Sequence, residues 1–158
     1  MLSRVLPCTL LLLSGCGFQL QGAVTPPAVM ERTFIATEDR YSPFYRELRS
    51  QLRASGIDLV DAGAEATATL SILLDETDQR VLSVSARNVP TEYEVYYSVE
   101  YELASSESRL LAPQFVTLTR DYTYDSTMVL GKSREEALLR EAIVRDLVRI
   151  VLKQLSSL

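Results

Sequence analysis

Hydrophobic and polar positions alternate most cleanly between Glu92 and Leu103. The odd positions are Tyr93, Val95, Tyr97, Val99, Tyr101 and Leu103; the even ones are Glu92, Glu94, Tyr96, Ser98, Glu100 and Glu102. A period of two predicts a strand with one buried and one wet face. Upstream, Thr67 to Ala86 places Ala68, Leu70, Ile72, Leu74, Leu82, Val84 and Ala86 on even positions. Glu76, Asp78 and Arg80 interrupt that row, which predicts a bulge or a stretch running past the core edge. Arg87-Asn88-Val89-Pro90 reads as the turn joining these two strands. A polar loop from Ser105 to Arg109 leads into a third strand, Phe115 to Tyr124, with Val116, Leu118, Tyr122 and Tyr124 on one side.

Two segments have helical periodicity instead. Ser42-Pro43 is a start signal, serine as N-cap and proline at the first helical position. Phe44, Leu48 and Leu52 then share one face, and Gly56 supplies the stop. Short strands are predicted on either side, at Thr33–Ala36 and Ile57–Val60. The C-terminal helix is expected to open with the capping box Ser133-Arg134-Glu135-Glu136. Its apolar stripe is Leu139, Ile143, Leu147, Ile150 and Val151, widened by Val144, Val148 and Leu155. Glu136/Arg140 and Glu141/Arg145 are favourable i, i+4 pairs. Together these elements predict an α+β fold: a two-layer sandwich of a mainly antiparallel, roughly four-stranded sheet packed against two helices.

The N-terminus follows another logic. Arg4 precedes a short apolar run, Val5 to Leu13, and then Leu13-Ser14-Gly15-Cys16. That run is too short for a bilayer span, which needs ~20 apolar residues. An apolar residue, two small residues and a cysteine form a lipobox. The expected organisation is therefore a signal peptide over 1–15, a lipidated N-terminus and tether over 16–30, and one periplasmic domain over 31–158. Cys16 would carry diacylglycerol and an N-acyl chain. Position 17 is glycine, not the aspartate associated with inner-membrane retention, so by similarity to sorted lipoproteins the destination is the inner leaflet of the outer membrane.

Composition narrows the chemistry. The chain has 158 residues, 47% hydrophobic and 23% charged, a globular balance with a formal charge of -5. Removing residues 1–15 takes away Arg4 and no acid, which leaves -6. Such a balance argues against nonspecific nucleic-acid binding. Histidine is absent, and with it the usual neutral-pH base and the commonest metal ligand. Cys8 and Cys16 are the two cysteines, so the mature domain would hold no free thiol, disulfide or thiolate metal site. No cofactor or metal is expected beyond the acyl chains on Cys16. Asp75, Glu76 and Asp78 lack the spacing of a calcium loop and read as a solvated turn. Glu92, Glu94, Glu100 and Glu102 sit ~6.6 Å apart in alternate pairs, within glycosidase range, but a flat exposed row offers no pocket to raise one pKa. Tyr96, Tyr122 and Tyr124 could form an aromatic surface, although sheet packing explains each of them. Arg87 and Lys132 are expected in two loops at one end of the sheet, where a pair of cations could hold an anionic head group. Read alone, two ordinary surface cations remain the better account.

Cys16-Gly17-Phe18-Gln19-Leu20 after the lipobox, Val84-Ser85-Ala86-Arg87-Asn88 with Glu92-Tyr93-Glu94, Arg120-Asp121-Tyr122, and Leu130-Gly131-Lys132 before a long helix form an ordered set. In that order they resemble the LptE family of lipopolysaccharide-assembly lipoproteins over nearly the whole chain. The resemblance implies a non-enzymatic plug inside the LptD β-barrel of the outer-membrane lipopolysaccharide translocon, which helps the barrel fold. It also implies contact with lipopolysaccharide at positions matching Arg87 and Lys132. The polar extension after the last helix in relatives has no counterpart beyond Leu158, so its function is not carried over. Two other expectations stand beside this one: a free-standing outer-membrane lipoprotein binding a lipid or envelope glycan, and a hydrolase using the glutamate row.

Overall fold

The computed structural model describes residues 26–124 and 129–158. The lipobox and Cys16 lie outside them. The last residues of the expected tether, Ala28–Met30, form a 3-10 turn that drops Met30 fully into the core.

Strand β1, Arg32–Ala36, leads into helix α1, Pro43–Ala54. Ser42 caps α1 as its sequence predicts, its Oγ accepting from the Tyr45 amide at 3.0 Å. Gly56 ends the turn after it at φ +86°, a conformation that glycine adopts without steric cost. The chain then returns as β2, Asp58–Val60, parallel to β1. Long strands follow: β3 at Ala68–Val84, β4 at Pro90–Ser105 and β5 at Arg109–Thr123. Among the described residues the sheet order is β2-β1-β3-β4-β5. The strands β3, β4 and β5 pair antiparallel, whereas β1 lies parallel to both neighbours. The sheet thus has five strands where about four are predicted, the helix α1 serving as the crossover that parallel pairing requires.

Strand β4 is the axis of the core. Val95, Tyr97, Val99, Tyr101 and Leu103 are buried on one face, as the alternation predicts. Phe44, Leu48 and Leu52 of α1 cover them together with Ile143, Leu147, Val151 and Leu155 of the last helix, α2, Val129–Leu155. The other face is less wet than alternation alone suggests. Because β4 is central, side chains of β3 and β5 flank it: Ser98 is buried and bonded to Thr117 at 2.8 Å, Arg80 pairs with Glu94, and Arg109 meets Glu102 at 3.4 Å.

The even-numbered row of β3 does not stay on one face. A bulge between Ile72 and Leu74 leaves Leu73 half exposed and inverts the parity. Ala68, Leu70 and Ile72 face the helices before it; Asp75, Thr77 and Gln79 do so after it. Asp75 accepts from Ser42 Oγ and, at 2.6 Å, from the Tyr97 hydroxyl, while Gln79 accepts from Tyr122 at 3.0 Å. The interruption in the sequence pattern is therefore the expected bulge, and the residues just beyond it are the ones that bind the helix layer.

Helix α2 begins four residues before Ser133, so the expected capping box is not its start, and Gly131 and Lys132 are helical rather than in a loop. One internal glycine costs only ~1 kcal/mol. The long buried stripe downstream, Ile143 to Leu155, outweighs it. Ile150, expected on that stripe, lies at its exposed edge.

Candidate functional site

Beyond Tyr93 the β3–β4 hairpin runs past the cover of the core. Its turn is built by local backbone chemistry: Asn88 N–H donates to Ser85 O at 2.9 Å, and Ser85 N–H donates to Val89 O at 2.8 Å. Asn88 takes φ 59°, the left-handed position that closes a three-residue hairpin loop and that asparagine tolerates. Arg87 stands at the apex, exposed. On the two arms leading to it, Val81, Leu82, Val84 and Val89 are each about half exposed. The hairpin end thus combines one guanidinium with exposed aliphatic side chains on its arms. The sequence pattern points to the arginine but not to the aliphatics, because it assigns Leu82 and Val84 to a core row that the bulges break.

Lys132 sits in the first turns of α2. Its Nζ meets Glu135 Oε2 at 2.7 Å, and its side chain is 19% exposed. Glu135 in turn lines a shallow concavity of about 330 Å³ with Leu82, Glu92 and Tyr122. Arg87 and Lys132 thus belong to the same end of the sheet, as expected, but in different chemical states. The arginine is free of carboxylates among the described residues, while the lysine is neutralised by its own helix in an acidic surround.

The remaining candidates resolve into structure. Tyr93, Tyr122 and Tyr124 cluster beneath the tip with ring centroids 5.7 and 5.3 Å from Tyr93, and burial raises the Tyr122 pKa. Tyr96 lies on the opposite face under the Arg80 guanidinium, 5.9 Å away. The glutamate row is divided among partners: Glu92 accepts from Ser83 at 2.8 Å, and Glu94 and Glu102 face arginines. Asp75 turns inward while Glu76 and Asp78 turn outward. These carboxylates do not converge on a common point.

This two-layer α+β fold is shared with solved bacterial lipoproteins. The uncharacterized lipoprotein B of Nitrosomonas europaea superposes with a TM-score of 0.75 at 25% identity, over 89% of this chain and 91% of its own. The rare lipoprotein B of Shewanella oneidensis does so with a TM-score of 0.69 at 27% identity, over 80% and 94%. A family model described as LptE, lipopolysaccharide-assembly, matches residues 31–155, and the chain belongs to that family. The LPS-assembly lipoprotein LptE of Yersinia pestis is 25% identical over 155 residues, which cover 98% of this chain and 74% of that protein.

Proposed function

We propose that this protein is a non-enzymatic component of the outer-membrane lipopolysaccharide translocon. In this reading it is anchored through lipid chains on Cys16 in the inner leaflet and faces the periplasm and the barrel lumen. It seats as a plug in the LptD β-barrel, helps that barrel assemble, and contacts lipopolysaccharide through the hairpin tip. The observation that carries the reading is the tip itself. A guanidinium at the apex of a loop suits phosphate, which it can grip with two parallel N–H donors. The exposed aliphatics along the arms below it suit acyl chains, so the hairpin end matches an amphiphile bearing both. Lys132 contributes after exchanging Glu135 for a ligand phosphate; until then Arg87 carries the positive charge alone. The charged outer face of β3, β4 and β5 suits the polar lumen of a large barrel.

Affinity purification of the tagged full-length protein from detergent-solubilised outer membranes tests the partnership. A stoichiometric LptD-type barrel in the eluate supports the plug. Recovery of the lipoprotein alone, properly acylated, favours the free-standing lipid or glycan binder. Lipopolysaccharide binding by Arg87→Asp tests the tip: loss with an intact circular dichroism spectrum is expected, and unchanged binding returns Arg87 to an ordinary surface cation.

A further inference from the structure

The described residues contain thirteen arginines, and seven reach a carboxylate within 4.0 Å. Six do not, and four of those six lie together: Arg40 just before α1, and Arg46, Arg49 and Arg53 on it. Spacing of three and four residues puts the last three on one flank of the helix. They line an open hollow of about 450 Å³ with Arg40, Tyr41 and Tyr45. Tyr41 is 87% exposed at its rim. Asp61 lines a smaller hollow with Arg40 and Arg49 but pairs with neither. In a chain of net charge -5, four guanidiniums left unpaired side by side are a concentrated positive surface.

The rest of the molecule sets its direction. The face of the sheet away from the helices carries Glu76, Glu92, Glu100 and Asp121. Basic and acidic surfaces therefore lie on opposite layers. The chain enters the domain near the C-terminal end of α1: the Asp58 amide donates to Glu31 O at 2.9 Å, and the Ile57 amide next to it donates to Leu52 O at 3.2 Å. Only ten Cα–Cα steps separate Cys16 from Pro26, a reach of at most ~36 Å.

We infer that the arginine flank of α1 is a membrane-docking surface that rests on the phosphates of anionic phospholipids when the free lipoprotein is anchored. The anchor holds the domain close, the arginines attract the head groups, Tyr41 sits at the interfacial level, and repulsion turns the acidic sheet away. This rests on the lipidation of Cys16, which the test separates from the surface itself.

Acylated full-length protein is reconstituted in vesicles of phosphatidylcholine, with or without phosphatidylglycerol. An environment-sensitive probe is placed at Ser50→Cys in the hollow, or at Thr117→Cys on the acidic face. The expected result is shielding of the Ser50 probe from aqueous iodide in anionic vesicles only, fading with added salt, with no shielding at Thr117. Combined Arg46→Glu, Arg49→Glu and Arg53→Glu should lower the partition to the shielded state roughly tenfold or more. If that variant does not fold, the salt series on the unaltered flank decides the same question. Equal quenching in both vesicle types overturns the inference, as does shielding reproduced by inorganic phosphate in neutral vesicles, which would mean a small-anion site. If flotation shows that the anchor reading fails, flotation with anionic vesicles alone still upholds the surface, and flotation with neither overturns both.

Discussion

Raising the pH should destabilise this domain through its buried tyrosines, and Tyr101 makes the effect calculable. Its ring is fully buried against α2, and its hydroxyl donates to Gln154 Oε1 at 2.6 Å, whose amide donates on to Gln114. Burial pushes its pKa up from 10.0 to about 12. Above pH 10 the unfolded chain loses a proton that the folded chain keeps, so folding stability from this group is complete below pH 10 and declines as pH rises to 12. At ~1.4 kcal/mol per unit, the full loss is about 3 kcal/mol. Tyr97 adds to it in the same direction, raised by desolvation and by its bond to Asp75. Tyr101→Phe removes the hydrogen bond, which costs about 1 kcal/mol at pH 8, but also removes that titration. Urea unfolding of the detergent-solubilised protein, followed by circular dichroism across pH 8 to 12, should therefore give stability curves that cross near pH ~11. Wild-type and variant curves that stay parallel would refute the reasoning, because Tyr101 would then titrate alike in both states.

Asp75→Ala strips acceptors from both Ser42 and Tyr97; a loss of about 2–3 kcal/mol is expected in urea unfolding, against about 1 kcal/mol for Ser42→Ala. Leu147→Ala, at a fully buried position where α2 meets the sheet, should cost about 2–5 kcal/mol, read by thermal denaturation. Gly56→Ala meets no atom within 4 Å yet must hold φ +86°, so calorimetry should show a loss of ~1–2 kcal/mol that comes from backbone conformation alone.

Which parts of this fold can be read from the chain depends on how local the cause is. The alternation of β4, the Ser42-Pro43 start and the Gly56 stop each rest on a few adjacent residues, and each stands where the pattern puts it. The parallel pairing of β1 with β3 rests on contacts across 35 residues or so, which no local period records. The bulge at Leu73 is visible as an interruption, but its consequence, the inward turn of Asp75, Thr77 and Gln79, depends on partners in α1, β4 and β5. The start of α2 escapes the pattern because Ser133 and Glu136 satisfy a capping signature that the helix overrides by extending upstream. At the tip, Arg87 is legible as a turn residue, whereas the pairing of Lys132 with Glu135 follows only once Lys132 is helical. The α1 arginines are in plain sight but belong to the polar side of an amphipathic helix, whose charges ordinarily mean solvent.

A beam fixed at one end moves most at the other. Strand β4 is about 50 Å long at ~3.3 Å per residue, clamped between helices and sheet from Val95 to Leu103. From Thr91 outward, beyond the last pairing with β5, on the order of 13 Å of two-stranded ribbon carries Arg87 at its free end. A tilt of about 5° where the ribbon leaves its clamp would displace that arginine by ~1 Å, more than the ~0.5 Å within which a binding group must be held. The residues that govern where the tip points are therefore far from it: the bulges in β3 and the Tyr93, Tyr122 and Tyr124 stack act as the fulcrum.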